Sequence, residues 1–171
     1  VKKAIRLSYK LKCKFYSLHS GFLFDPKIKD LGKKIINQPV QNRNKSISIF
    51  IRNMNILSQY ASDHGIMLLL ENNVLSKNNF ESFKLNPFLM VDIMETENIL
   101  KQMPNNIGIL LDVGHLKVSS NTLGFDKLDF LAKINKWIYA YHLSDNDGFN
   151  DNNKKICEKS WFWKHLKKNL P

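Results

Sequence analysis

Cysteine, arginine and glycine-rich loops are scarce in this chain, and each scarcity removes a class of explanation. Cys13 and Cys157 are the two cysteines. They stand too far apart, and without the repeated spacing, for a disulfide framework or a zinc knuckle, so both read as reduced, inert, buried thiols of a cytoplasmic protein. Arginine is confined to Arg6, Arg43 and Arg52, and lysine supplies nearly all of a formal net charge of +11. Specific base and phosphate contacts favour the arginine fork, and these lysines are scattered rather than massed, so a nucleic-acid partner is not expected. A Gly-rich phosphate loop after a strand is missing, which disfavours an open dinucleotide-binding sheet. Apolar runs such as Ile66 to Leu70 fall far short of the roughly 20 residues that span a bilayer. The stretch after Lys2 and Lys3 is interrupted by Arg6, Lys10, Lys12 and Lys14, leaving no apolar middle for a secretory peptide. Neither membrane association nor export is expected.

What is present is enough apolar material for one sizeable core: 171 residues at 43% hydrophobic composition, without low-complexity linkers, read as a single domain over 1–171. Ala4 to Lys12 reads as a helix tail, followed by an aromatic-rich strand from Lys14 to Leu18 that ends at His19. Ile47, Phe50, Ile51, Met54, Leu57 and Tyr60 recur at helical spacing between Asn44 and His64, with Gly65 as the stop. Ile66 to Leu70 is a continuous apolar run of strand length ending at Glu71, Asn72 and Asn73. The pattern then repeats. A helix is expected over Asn98 to Met103, closed by Pro104, then a strand over Ile107 to Leu111 ending at Asp112. A helix from near Asp126 carries Phe130, Leu131, Ile134 and Trp137. A strand from Ile138 to Leu143 follows, and a last helix over Trp161 to Leu170. Alternation of this kind predicts an α/β fold with parallel strands and right-handed crossovers.

Each strand ends on polar residues after an apolar run that has no other use for them. Glu71 alone is a weak sign, since a strand-end Glu commonly caps a helix or serves a loop. Asp112 and His115 stand three apart around Gly114. Either the glycine lets the chain turn so that both face one pocket, or Asp112 caps a helix and His115 packs. Tyr141 to Gly148 adds His142, Asp145 and Asp147, which alone also suits an Asx-rich turn. Together the three strand ends make an oxygen-plus-imidazole set suited to one divalent metal ion: Mn, Mg, Co or Zn. Ser160 to Trp163 reads as core or helix packing rather than a substrate-facing wall.

The order His19-Ser20-Gly21, Leu70-Glu71-Asn72, Asp112-Val113-Gly114-His115 and Tyr141-His142-Leu143-Ser144-Asp145 resembles the sugar phosphate isomerase/epimerase family, which shares its barrel with xylose isomerase and endonuclease IV. The resemblance runs from about His19 to about Trp163. It implies a partial (β/α)8 TIM barrel of about four parallel strands with flanking helices. These would be the fourth to seventh of eight strands, since roughly 250 residues make a whole barrel. It also implies metal ligands Glu71, Asp112 and His142, with a final Glu expected on a strand beyond Pro171. Glu71 would be the catalytic base as well, and His19, His115 and Asp145 would contact substrate. The implied reaction is isomerisation or epimerisation of a sugar or sugar phosphate through an enediolate. Two alternatives stand beside it. One is an endonuclease IV-like abasic-site nuclease, which the sequence opposes by placing Asn153 where an Asp-x-His metal element would have histidine. The other is an inactive barrel piece with a binding or assembly role. Unpaired strand edges in so small a piece would favour a homo-oligomer.

Overall fold

The computed structural model describes residues 1–26 and 39–169. Four strands, β1 (Phe15–His19), β2 (Met67–Glu71), β3 (Ile107–Asp112) and β4 (Ile138–His142), form one parallel sheet in chain order. Seven α-helices accompany them among the described residues: α1 (Lys2–Lys10), α2 (Arg43–Ser62), α3 (Lys77–Phe83), α4 (Ile93–Leu100), α5 (Val113–Leu123), α6 (Lys127–Ile134) and α7 (Trp163–Asn169). This is the strand-helix alternation of a partial barrel. No described helix is long and apolar enough to cross a membrane.

Local chemistry sets most boundaries. Asn42 caps α2 by accepting from the Lys45 amide, and Gly65 at φ +65° takes the left-handed conformation that ends the helix and turns the chain into β2. Asp126 caps α6 in the same way. Three expectations shift. The helix expected from Asn98 runs instead over Ile93–Leu100, because Asp92 caps it by accepting from Glu95. Gly114 makes no turn after β3; it lies in the first turn of α5, which starts directly from Asp112. The C-terminal helix begins at Trp163 rather than Trp161, and Leu170 lies outside the described residues.

The core is built on the inner strands. Leu68, Leu70, Ile109 and Leu111 are fully buried and join Ile5, Met54, Ala61, Phe130, Ile134 and Phe162 in one cluster. Each Leu, Ile, Met or Phe among them contributes about 1.5–3 kcal/mol through burial. Trp161 and Trp163 pack partly against that cluster, the packing role expected for this segment. Arg43 ties α2 to the loop before α4. Its guanidinium pairs with Glu95 and donates to the carbonyls of Asn86 and Phe88. Cys13 and Cys157 are both exposed, which corrects the expectation of buried thiols.

Candidate metal centre

Parallel register brings the polar strand ends together in two level pairs, offset by two residues because Glu71 stands opposite Leu110. His19 pairs with Glu71 across β1 and β2, and Asp112 with His142 across β3 and β4. Alternate residues of a strand share a face, so the two-residue offset still delivers these side chains to one side of the sheet. His142 Nδ1 lies 3.0 Å from Glu71 Oε1 and 3.6 Å from Asp112 Oδ2. His115 joins from the first turn of α5, with Nδ1 3.9 Å from Glu71 Oε1 and Nε2 3.9 Å from Asp112 Oδ2. Glu71, Asp112 and His115 each offer a ligand atom within 4.8 Å of the others, and all three are buried. His19 stands further out, its Nδ1 3.7 Å from Glu71 Oε2 and its ring stacked on that of His115 at 6.4 Å between centroids.

Asp112 serves two purposes. Its Oδ1 accepts from the His115 amide at 2.9 Å and caps α5, while Oδ2 faces the two imidazoles. Helix capping and site building, separate readings of the sequence, are one arrangement. Gly114 is needed for closeness rather than for a turn: a Cβ there would meet Ser144 Oγ at 2.5 Å and Asp112 Oδ1 and Asn146 Nδ2 at 3.1 Å.

Asp145 does not reach this cluster through its carboxylate oxygens, which are otherwise engaged. Lys117 donates to Oδ1 at 2.6 Å and Ser160 to Oδ2 at 2.7 Å. Partial burial works to raise its pKa, but the hydrogen bonds from Lys117, Ser160 and the Asn146 amide hold it below the usual carboxylate range. Its position thus fastens the loop after β4, helped by backbone bonds in both directions with Lys154. Asp147 is exposed and accepts from the amides of Phe149 and Asn150, the Asx-type turn; those bonds bring its pKa down to about 2.

The fastened loop brings in Asp151, the aspartate of the Asp151-Asn152-Asn153 stretch that stands in place of an Asp-x-His element. Its Oδ2 lies 3.3 Å from His115 Nε2. Burial acts to lower the His115 pKa, but the hydrogen bond to Asp151, the charge of Asp112 and the Asn72 carbonyl outweigh it and push the value up to about 9. The same hydrogen bond holds the Asp151 carboxyl below its ordinary value. No periodic signal marks Asp151, because it lies in a loop whose path depends on Asp145, Lys117 and Ser160.

A divalent cation suits this donor set. Two carboxylates buried side by side need positive charge close by, and oxygen with imidazole donors at strand ends is the mixture that Mn, Co and Zn accept. Glu71, Asp112 and one or both of His115 and His142 are the residues that would hold it.

The family described as xylose isomerase-like TIM barrel matches residues 1–168. No curated protein matches by sequence. Among solved structures, a D-tagatose 3-epimerase-like protein superposes with TM-score 0.71 at 20% identity, over 98% of this chain and 55% of that one. The 3-keto-D-glucoside 4-epimerase of E. coli gives TM-score 0.64 at 11% identity, over 99% of this chain and 58% of that one. An AP endonuclease, family 2, from Brucella melitensis gives 0.63 at 17% identity, over 97% and 55%. The chain thus spans somewhat more than half the length of each.

Proposed function

The chain belongs to the xylose isomerase-like TIM-barrel family, and on that premise we propose that it is the metal-site portion of a metal-dependent sugar or sugar phosphate isomerase/epimerase. The observation that supports this reading best is the approach of Glu71, Asp112, His115 and His142 to one another within hydrogen-bonding to ion-pairing distance. A bound divalent ion would polarise a sugar carbonyl and its neighbouring hydroxyl, making the adjoining carbon acid. The remaining work falls to side chains. Glu71 directs Oε1 toward His142 and His115 and Oε2 toward exposed His19, so Oε2 is the atom that takes the carbon-bound proton and, in an isomerisation, delivers it to the neighbouring carbon; an epimerisation needs a second acid on the opposite face. His19 borders that atom, and it and His115 hold substrate oxygens. Asp112 fixes His115 and the start of α5 while keeping one oxygen toward the site.

One observation favours a second reading. Asp151 against His115 makes a further carboxylate-imidazole pair of the kind a multi-metal nuclease employs. Asn153 opposes it, because an amide is a poor ligand for zinc beside imidazole. The two readings separate in one experiment: the protein is incubated in D2O with manganese and a panel of ketoses and ketose phosphates, and in parallel with abasic duplex DNA and zinc. Metal-dependent deuterium entry at the carbon next to the carbonyl, with the DNA intact, is expected. Nicking of the duplex without deuterium entry would reverse the assignment.

A further inference from the structure

Asn72 stands between the two buried carboxylates and takes no part in the chemistry just described. It is 2% exposed and follows Glu71 directly in the chain. Its side chain meets both backbone groups of Asp112: Nδ2 donates to the Asp112 carbonyl at 3.1 Å, and Oδ1 accepts from the Asp112 amide at 2.8 Å. A primary amide placed in this way imitates a strand residue and extends the β2–β3 ladder beyond Glu71. Its backbone carbonyl accepts from His115 Nδ1 at 2.8 Å. A carbonyl only accepts, so the proton at that contact sits on Nδ1, and Nε2 is the nitrogen turned to Asp151 and Asp112. One residue therefore touches Asp112 and His115 and is covalently joined to Glu71.

We propose that Asn72 is a positioning residue of the metal centre, setting the spacing of the Glu71 and Asp112 carboxylates and the orientation of the His115 ring. The proposal rests on the metal reading of the site. Its physical basis is that a buried amide leaves no slack: both of its polar ends are used by one residue, in a place where water does not substitute for them. Groups behind metal ligands commonly carry about 10- to 100-fold of metal affinity.

A control for simple stability lies at the end of β3 opposite Asp112. Asn106 precedes β3 and also joins neighbouring elements through its amide, accepting from Ser58 Oγ at 2.5 Å and donating to the Ser58 carbonyl at 2.9 Å. The test compares Asn72→Ala, Asn72→Asp and Asn106→Ala with the parent chain by Co(II) titration followed through the d–d absorption bands, and by amide hydrogen exchange at Asp112. Asn72→Asp keeps one acceptor and the shape but turns a carboxylate oxygen, in place of the donor, toward the Asp112 carbonyl, so it carries the test should the alanine variant not fold. The expected result is Co(II) affinity weaker by about 10- to 100-fold with altered bands in the Asn72 variants, and faster exchange of the Asp112 amide in Asn72→Ala. Asn106→Ala should lower the melting temperature with its Co(II) spectrum unchanged. Affinity within twofold of the parent and identical bands in the Asn72 variants would overturn the proposal. If the parent binds no Co(II), the metal reading fails, and unchanged Asp112 exchange in Asn72→Ala would then dismiss the positioning role as well.

Discussion

The inner and outer strands of the sheet end on the same kinds of residue, yet their side chains meet different surroundings. Glu71 on β2 and Asp112 on β3 keep 10% and 9% of their side-chain surface, whereas His19 on β1 and His142 on β4 keep 61% and 53%. The inner pair is held from all sides by the core, the Asn72 bridge and the α5 cap. The outer pair lies on strands that pair on one side only among the described residues. No large apolar side chain on β2 or β3 is exposed, whereas exposed ones occur on the outer strands as well as on helices, among them Ile56, Met94 and Leu128. Leu11 and Phe15 lie just before or on β1, and Tyr139, Leu143 and Phe149 on or after β4. The difference separates two tasks: the inner strands supply fixed negative charge, and the outer strands supply imidazoles with freedom to reorient.

The largest test of that division is in the core beneath it. Replacing fully buried Leu70 by alanine should cost about 2–5 kcal/mol, whereas Phe15→Ala on the exposed edge should cost about 0.5 kcal/mol. Urea unfolding followed by circular dichroism measures both. Equal losses would mean that the edges are as tightly packed as the centre.

Much of this division is legible in the sequence, and the remainder is missing for identifiable reasons. The runs before Glu71 and Asp112 are continuously apolar because those strands are buried throughout, and a polar residue at the end of such a run marks the sheet face directly. Helix α5 is legible only as one of two readings because Gly114 resembles a turn signal; its real constraint is the side chain of Ser144, distant in sequence. Helix α3 is short and polar, with Ser76 as its cap and no apolar period to announce it. The contact of Asp151 with His115 depends on a loop fastened by Lys117 and Ser160, and long-range loop paths leave no local pattern. The Asn72 amide follows Glu71 in plain view, but only the register of β2 against β3 shows what it bonds.

A smaller effect sharpens the comparison at the point where α5 meets the loop after β4. Gly114→Ala inserts a methyl group against Ser144 Oγ and should cost about 1–3 kcal/mol. The same methyl group sits close to Asp112 Oδ1, so zinc affinity should fall together with stability. A stable variant with parental affinity would show that the inner site has more slack than its burial implies.

The smallest effect is on pH dependence. In the folded protein His115 holds its proton up to about 9, against 6.5 as the ordinary value. A raised pKa means that the folded state binds the proton more tightly, so this contribution is whole below pH 6.5 and disappears as pH rises through about 9. The melting temperature should therefore fall between pH 6.5 and 9.5 by a few degrees more in the parent than in His115→Gln, as measured by scanning fluorimetry without added metal. Parallel curves for the two proteins would remove His115 from the charge balance of the site.

The central claim is that the strand ends form one cation site anchored by the inner carboxylates. Crystals grown with zinc and measured on both sides of the zinc absorption edge test it directly. The account predicts one anomalous peak about 2.0–2.2 Å from an oxygen of Glu71, an oxygen of Asp112 and an imidazole nitrogen of His115 or His142, with the peak gone in Glu71→Gln. No peak among these residues at saturating zinc, or a peak that persists at full height in Glu71→Gln, would contradict it.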